Sequence, residues 1–162
     1  MLKLRKNKKG FTLVELIVVI AIMAVLAGVV AGVTVSQLNK QTDKTGQTQA
    51  KQIADFIANC ALTQDTMGDE ADGVEVLKVE GGKTVFDKAA IDTLIANQYS
   101  ATSIKVNPAD SEKSKKGYIT VAVTTDNNGS KVTVEYTPKA KDGVKYEVST
   151  DGIVKDVTVK TE

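Results

Sequence analysis

The chain has 162 residues, a formal net charge of +1, one cysteine (Cys60) and no histidine or tryptophan. A single thiol cannot form an internal disulfide, and a chain without histidine lacks the residues of an ordinary zinc site or a Cys–His nucleophile pair. This composition argues against an enzyme, and we expect no cofactor and no metal.

The basic residues are concentrated at the N-terminus. The first ten residues contain five Lys and Arg and no acid, so the rest of the chain holds 16 basic against 20 acidic residues, a net charge of −4. No second basic stripe follows the first ten residues. We therefore expect no nucleic acid as a primary ligand.

A long uncharged segment follows this basic leader. Residues 16–33 contain no charged side chain, and a span of that length is enough to cross a bilayer as a helix. The basic flank predicts a single pass with a cytoplasmic N-terminus and an exported C-terminal part. Glu15 lies at the start of the apolar segment, where an acid is expensive unless it has a partner. Glu15 is therefore a candidate functional residue.

An ordinary secretory signal is one alternative for this segment. Such a signal is cleaved after its apolar region at a small-residue motif, and cleavage after residues 29–31 (Val-Val-Ala) would release a product beginning at Gly32. Glu15 argues against this alternative, because a disposable export signal has no use for an acid inside its apolar region.

The sequence of residues 10–15, Gly-Phe-Thr-Leu-Val-Glu, stands between the basic leader and the apolar segment. This arrangement resembles the class III signal peptide of type IV prepilins and pseudopilins. The resemblance implies that residues 1–10 are a leader peptide and that a prepilin peptidase cleaves between Gly10 and Phe11. It also implies that the same enzyme methylates the new amine of Phe11 and that Glu15 guides assembly.

Elementary electrostatics supports a role for the new N-terminus. Cleavage before Phe11 leaves the apolar helix on the product and creates a positively charged amine four residues from Glu15. At ~4 Å and an effective dielectric of ~20, the attraction between these charges is about 4 kcal/mol before desolvation. An unpaired acid at the centre of a spanning helix costs roughly 2.5–3.5 kcal/mol. The amine of a neighbouring subunit could therefore draw Glu15 into register.

Two glycines lie in the second half of the apolar segment. Gly28 and Gly32 form a Gly-x-x-x-Gly pair, which lets helices approach closely, although glycines are common in membrane helices in any case. Many pilins carry a proline in this part of the helix, and this chain has none there. Gly28 and Gly32 are the expected points of flexibility if the helix unwinds on assembly.

The polar stretch 36–49 is poor in helix-forming residues, and a helical pattern returns at residue 50. From there, apolar side chains at helical spacing form a stripe that is predicted to face a core, and Cys60 lies at its rim. The stripe consists of Ala50, Ile53, Ala54, Ile57 and Ala61. Phe56 and Leu62 lie off the stripe and are expected to meet neighbouring subunits. The family resemblance implies one helix from Phe11 to about Gln64, ~80 Å long. Residues 11–35 would form its transmembrane and assembly half, and residues 36–64 its second half.

Residues 65–117 are predicted to form a loop region with a hairpin turning at Gly81-Gly82 and a short helix capped by Asp87. The buried side of this helix would carry Ile91, Leu94 and Ile95. Residues 107–117 are expected to form a charged loop. The acids between residues 65 and 72 do not have the spacing of a known calcium loop, so a solvated acidic loop is the preferred interpretation.

Residues 118–162 alternate apolar and polar side chains and predict an antiparallel sheet with turns at residues 127–129 and at Asp151-Gly152. The apolar face would lie against the helical stripe. Residues 124–135 loosely resemble a calcium-binding loop but lack its first acid, so we do not expect calcium there. Asn128-Gly129-Ser130 fits a glycosylation sequon, a motif that often occurs by chance.

The expected fold class is therefore α+β. The resemblance implies a type IV pilin fold, with a long N-terminal helix whose first half spans the membrane, packed against a small C-terminal antiparallel sheet. It implies a structural subunit that polymerises with copies of itself into extracellular pili and supports adhesion, twitching motility, aggregation or biofilm formation. The implied partners are the prepilin peptidase, an assembly ATPase and an inner-membrane platform protein. Before assembly the membrane would hold the prepilin.

Two other functions remain open. A pseudopilin of a type II secretion or DNA-uptake system shares every N-terminal feature, and a membrane-anchored extracellular binding domain is a more remote alternative. The missing second cysteine departs from the many pilins that close their C-terminal region with a disulfide. This departure leaves open how the last strands are held, and it hints at a Gram-positive origin.

Overall fold

Two helices and seven strands lie within the residues that the computed structural model describes, which are 10–67, 75–99, 104–107, 116–127, 129–140 and 143–158. The helices are α1 (Leu13–Met67) and α2 (Lys88–Tyr99). The strands are β1 (Leu77–Glu80), β2 (Lys83–Phe86), β3 (Lys105–Asn107), β4 (Tyr118–Asp126), β5 (Gly129–Thr137), β6 (Val144–Ser149) and β7 (Val154–Asp156). The chain divides into two compact units, Met1–Leu38 and Asn39–Glu162.

The first unit contains the N-terminal part of α1. Its large apolar side chains between Leu13 and Leu38 are 47–73% exposed. The helix continues without a break through Gly28 and Gly32. A helix that is apolar on all sides is stable only when lipid or protein covers it, so this surface requires a partner.

The core of the second unit lies between α1 and the sheet. The helical stripe predicted from the sequence is fully buried, and most of the apolar face of the sheet is buried with it, which confirms that these two surfaces pack together. The sheet contributes Ile119 and Val121 from β4, Val132, Val134 and Tyr136 from β5, and Tyr146 and Val148 from β6. Cys60 is also buried in this core.

The strands β3 to β7 form one sheet in that order, and β4, β5, β6 and β7 pair in antiparallel fashion. The exception is β3, which runs parallel to β4 and pairs Lys105 with Tyr118. Asn107 belongs to this strand, so its assignment to a charged loop was wrong. A three-residue edge strand is too short to show alternation, and its parallel pairing depends on a partner far along the chain. Residues 108–115 of that loop lie outside the described residues.

The hairpin of β1 and β2 and the helix α2 agree with the sequence predictions. Gly81 and Gly82 both have positive φ, as a two-residue hairpin turn requires. The Asp87 carboxylate caps α2 by accepting hydrogen bonds from the amides of Ala89 (2.9 Å) and Ala90 (3.4 Å). The three predicted inward residues of α2 are buried. The hairpin is joined to the sheet where the Phe86 amide donates to the Ser130 hydroxyl at 3.0 Å.

Phe56 of α1 packs against α2. Its ring is half-buried and packs edge-on against Tyr99, with ring centroids 6.2 Å apart. This contact with α2 was not predicted from the sequence, because the sequence did not place α2 in space. The contact of Phe56 with a neighbouring subunit stays a prediction. Leu62 is 45% exposed, and its contact with a neighbour stays a prediction.

The architecture is the mixed α+β class predicted from the sequence. A long N-terminal helix, apolar in its first part, precedes a C-terminal sheet that is mostly antiparallel. This combination fits the pilin fold.

Candidate functional site at the start of the long helix

The Gly10–Phe11 peptide bond is accessible. Gly10 is exposed, and a Cβ placed on it would have no atom of the described residues within 4 Å. Phe11 is 92% exposed and precedes the first residue of α1. A protease could therefore reach this peptide bond without unwinding the helix or displacing a side chain.

Thr12 and Glu15 form a capping box at the N-terminus of α1. Oε2 of Glu15 accepts hydrogen bonds from the Thr12 amide (2.9 Å) and the Thr12 hydroxyl (2.8 Å). In return, the Glu15 amide donates to the Thr12 hydroxyl oxygen at 3.3 Å. This reciprocal pattern satisfies backbone donors that the first turn of a helix leaves unpaired. It also places a negative charge at the positive end of the helix dipole.

The capping box gives Glu15 a partner that the sequence analysis did not identify. The signal was present, since Thr-x-x-Glu before an apolar run is the sequence pattern of a capping box. The predicted partner of Glu15 is the amine of Phe11, but in the uncleaved chain the Phe11 nitrogen is a neutral amide. The two Thr12 bonds both end on Oε2, so Oε1 accepts no hydrogen bond from the described residues.

The helix that follows is long and apolar enough to cross a membrane. Its most apolar window of 18 residues has a mean hydropathy of 3.0, and none of that window is buried. Length and composition alone carry this assignment, and a signal sequence near an N-terminus shows the same features. Glu15 is the acid of the first turn of this helix.

Gly28 and Gly32 lie one turn apart within this helix. A Cβ added at either position would meet no described atom within 4 Å, so neither glycine is required by a contact inside the chain. Close to them, the Thr34 hydroxyl donates to the Val30 carbonyl at 2.8 Å. The roles of Gly28 and Gly32 in helix packing or flexibility remain predictions.

A second polar centre lies in the second unit, and sequence reasoning missed it. Asp43 of α1 is 4% exposed, and its carboxylate accepts three strong hydrogen bonds. Oδ1 binds the Tyr136 hydroxyl and the Lys139 amide, both at 2.8 Å, and Oδ2 binds the Ala140 amide at 2.9 Å. The Asp43 carboxylate therefore ties α1 to the end of β5 and to the segment that follows it.

These contacts fix the charge state of the pair. Burial by itself would raise the pKa of the Asp43 carboxyl, but the two backbone amides and the Tyr136 hydroxyl outweigh it and hold the pKa below its ordinary value. Burial and the negative charge of Asp43 raise the pKa of the Tyr136 phenol. Tyr136 thus stays a neutral donor and Asp43 an anionic acceptor over the whole physiological range, which suits a structural role.

Gly46 explains why Tyr136 can lie so close to α1. A Cβ at Gly46 would stand 2.2 Å from Cε2 and 2.3 Å from Cζ of the Tyr136 ring. The glycine in this polar stretch, unfavourable for an isolated helix, is therefore needed for packing. Asp43, Gly46 and Gln49 are all buried, so they extend the buried side of α1 by three positions before Ala50.

No group of three His, Cys, Asp or Glu residues that could hold a metal ion lies within the described parts of the chain. Most of the acidic cluster at residues 65–72 and the sequon residue Asn128 lie outside those parts. Asp126, in the segment that resembled a calcium loop, is an exposed residue at the end of β4.

Residues 5–31 match the family model of the prokaryotic N-terminal methylation motif. The match covers the end of the basic leader, the capping box and most of the apolar segment. Gly28 lies within it, whereas Gly32 lies just beyond its last residue. Neither a curated protein nor a solved structure matches the chain.

Proposed function

The chain carries the class III signal peptide of type IV pilins, and from this we propose that it is a pilin, the structural subunit of extracellular type IV pili. The motif indicates a pilin or pseudopilin-like prepilin, a structural subunit that is processed by a prepilin peptidase and polymerises with itself. The apolar N-terminal helix fits a membrane-anchored prepilin that later becomes extracellular. We propose further that the subunit assembles into an extracellular pilus and not into a secretion apparatus.

The exposed apolar surface of α1 supports this proposal. Residues 16–33 are uncharged and uncovered, and an apolar surface of this size is stable only in lipid or against protein. Lipid covers it in the prepilin, and the same helix of other copies covers it in the filament. Contacts between non-identical surfaces that do not close a ring generate a helical polymer.

The capping box suggests how Glu15 serves both the membrane-bound prepilin and the subunit in the filament. Before cleavage, Thr12 supplies two hydrogen bonds to the Glu15 carboxylate and lowers the cost of holding it near lipid. After cleavage behind Gly10, Phe11 carries a charged amine, which methylation does not neutralise. The amine of one copy then binds the Glu15 carboxylate of the next and sets the register between neighbouring helices.

The proposal includes a membrane topology and partners. The basic leader stays in the cytoplasm, where the peptidase reaches Gly10, and the rest of the chain faces outward. An assembly ATPase and an inner-membrane platform protein extract the subunit and add it to the filament. The assembled pilus supports adhesion, surface motility, aggregation or biofilm formation.

An intact mass of the filament-associated chain tests the processing step. We expect a chain that begins at N-methylated Phe11, because cleavage there keeps the assembly helix. A chain that begins at Gly32 would overturn the proposal, since it would lack that helix. Isolation of the protein from sheared surface filaments separates the pilin from the pseudopilin of a secretion or DNA-uptake system.

Two substitutions separate the capping role of Glu15 from its charge. Glu15→Gln keeps a capping-box acceptor but removes the charge, whereas Glu15→Ala removes both. We expect both variants to insert into the membrane and both to lose filaments, because the amine of Phe11 attracts a carboxylate and not an amide. Filaments at wild-type levels in Glu15→Gln would show that Glu15 acts only as a helix cap.

A further inference from the structure

The solvent-facing side of the sheet contains a depression of about 220 Å³. The residues that line it alternate along their strands with buried core residues, as expected for a sheet with one solvated face. The lining consists of Thr120, Ala122 and Thr124 of β4, Thr133 and Glu135 of β5, and Lys145 of β6. The depression is therefore built from three adjacent strands of one rigid sheet.

The shape of the depression follows from the side chains in the β4 row. Ala122 has the smallest side chain of the row and lies directly opposite Thr133 on β5. Threonines stand two residues before and after it, at positions 120 and 124. The methyl group of Ala122 therefore forms the floor of the depression, and the threonines beside it carry both a methyl and a hydroxyl group.

Two oppositely charged residues of the lining, Glu135 and Lys145, form no ion pair with each other in the described structure. Glu135 and Lys145 are direct cross-strand partners, a position in which opposite charges normally attract. On the same face, Lys131 and Glu147 do form an ion pair, at 2.9 Å. No ion pair joins Glu135 and Lys145 among the residues that the structure describes. Both groups therefore remain available to a ligand that offers hydroxyl groups.

We propose that this depression binds a sugar ring of a polysaccharide. Three threonine hydroxyls both donate and accept, the Glu135 carboxylate accepts, and the Lys145 ammonium donates, which matches the hydroxyls of a sugar. The methyl floor formed by Ala122 suits the C–H face of the ring. An apolar ligand would leave these polar groups unpaired, and a nucleic acid phosphate would meet the Glu135 carboxylate.

The site is shallow and smaller than the roughly 300–1,000 Å³ of drug-sized ligand pockets, so a single copy binds weakly. A polymer repeats the site many times, and simultaneous binding to one polysaccharide multiplies a weak affinity. This use in adhesion rests on the proposed filament, but the sugar binding itself is a property of one chain.

Titration of the purified full-length chain with sugars tests this inference. The probes are cellohexaose, maltohexaose, chitohexaose and oligogalacturonate, and calorimetry measures their binding. The chain is kept in micelles of a phosphocholine detergent, because the sugar headgroup of a glycoside detergent would compete with the probes. We expect saturable binding of at least one probe. Ala122→Leu fills the depression and weakens that binding at least about tenfold. Thr133→Val removes one hydroxyl and weakens it about fivefold.

Thr137→Val is the matched control, since Thr137 lies on the same face of β5 but does not line the depression. It should bind the probe like the wild type, and unchanged thermal unfolding of all three variants shows that they fold. Absence of saturable binding to any probe, or equal binding by Ala122→Leu, would overturn the inference. Neither result affects the tests of Glu15 and of the cleavage site, which measure processing and filaments.

Discussion

Replacement of Asp43 should reveal how much the buried carboxylate stabilises the second unit. Asp43→Ala leaves the Tyr136 hydroxyl and the amides of Lys139 and Ala140 without their acceptor. Hydrogen bonds to a charged group contribute about 1.5–3 kcal/mol each, but bonds that share one carboxylate are not additive. We therefore expect a loss of roughly 3 kcal/mol in the free energy of unfolding. Asp43→Asn should lose about half as much, because its NH₂ group cannot accept from an amide.

Thermal unfolding of the full-length chain in micelles measures this loss. Tyrosine fluorescence is a suitable probe, because the chain has no tryptophan and two of its four tyrosines, Tyr136 and Tyr146, are buried. A loss of 3 kcal/mol in a unit of this size corresponds to a drop in Tm of roughly 10–15 °C. The matched control is Asp55→Ala, which removes an exposed carboxylate from the same helix and should change the stability by no more than about 0.5 kcal/mol.

The pH dependence gives a second measurement on the same residue. The pKa of Asp43 is lower in the folded chain than its ordinary value of 3.8, so the folded state binds fewer protons near that pH. The stability that Asp43 contributes is therefore complete above its unfolded pKa and is lost as the pH falls through its lower folded pKa. The difference between the wild type and Asp43→Asn should be constant above about pH 5 and shrink in more acidic solution. A Tm of Asp43→Ala equal to that of Asp55→Ala would refute the reasoning.

Three further substitutions test close contacts in the second unit. Gly46→Ala should lower the free energy of unfolding by more than about 2 kcal/mol, because the added Cβ would overlap with the buried Tyr136 ring. Denaturant unfolding measures this loss, and a variant more stable than the wild type would contradict the close packing of Gly46 against Tyr136. Gly152→Ala should cost about 2 kcal/mol in the same assay, since Gly152 has φ +75° and its added Cβ would lie 3.0 Å from the Ala58 carbonyl. Gln64→Ala removes two hydrogen bonds to the Leu77 backbone, of 2.9 and 2.8 Å, and should speed amide hydrogen exchange at Leu77; unchanged exchange would show that the side chain is dispensable.

The sequence alone predicts the features whose signals lie within a few residues of one another. The charge pattern around residues 1–33, the Asp87 cap of α2 and the turn at Gly81-Gly82 all follow from near neighbours in the chain. The alternation along β4 to β6 also identifies the buried face of the sheet, because its period is set by the pleat. These local rules do not depend on where the rest of the chain lies.

Only the tertiary structure decided the contacts between distant segments. Asp43 and Gly46 look like polar interruptions of a helix, and their partner Tyr136 lies about ninety residues away. The parallel pairing of β3 and the contact of Phe56 with Tyr99 depend in the same way on elements that the chain brings together. The capping box is different, because its two residues are adjacent on one turn and its pattern can be read from the sequence. Periodicity assigns a residue to a face, and only packing shows which distant group that face meets.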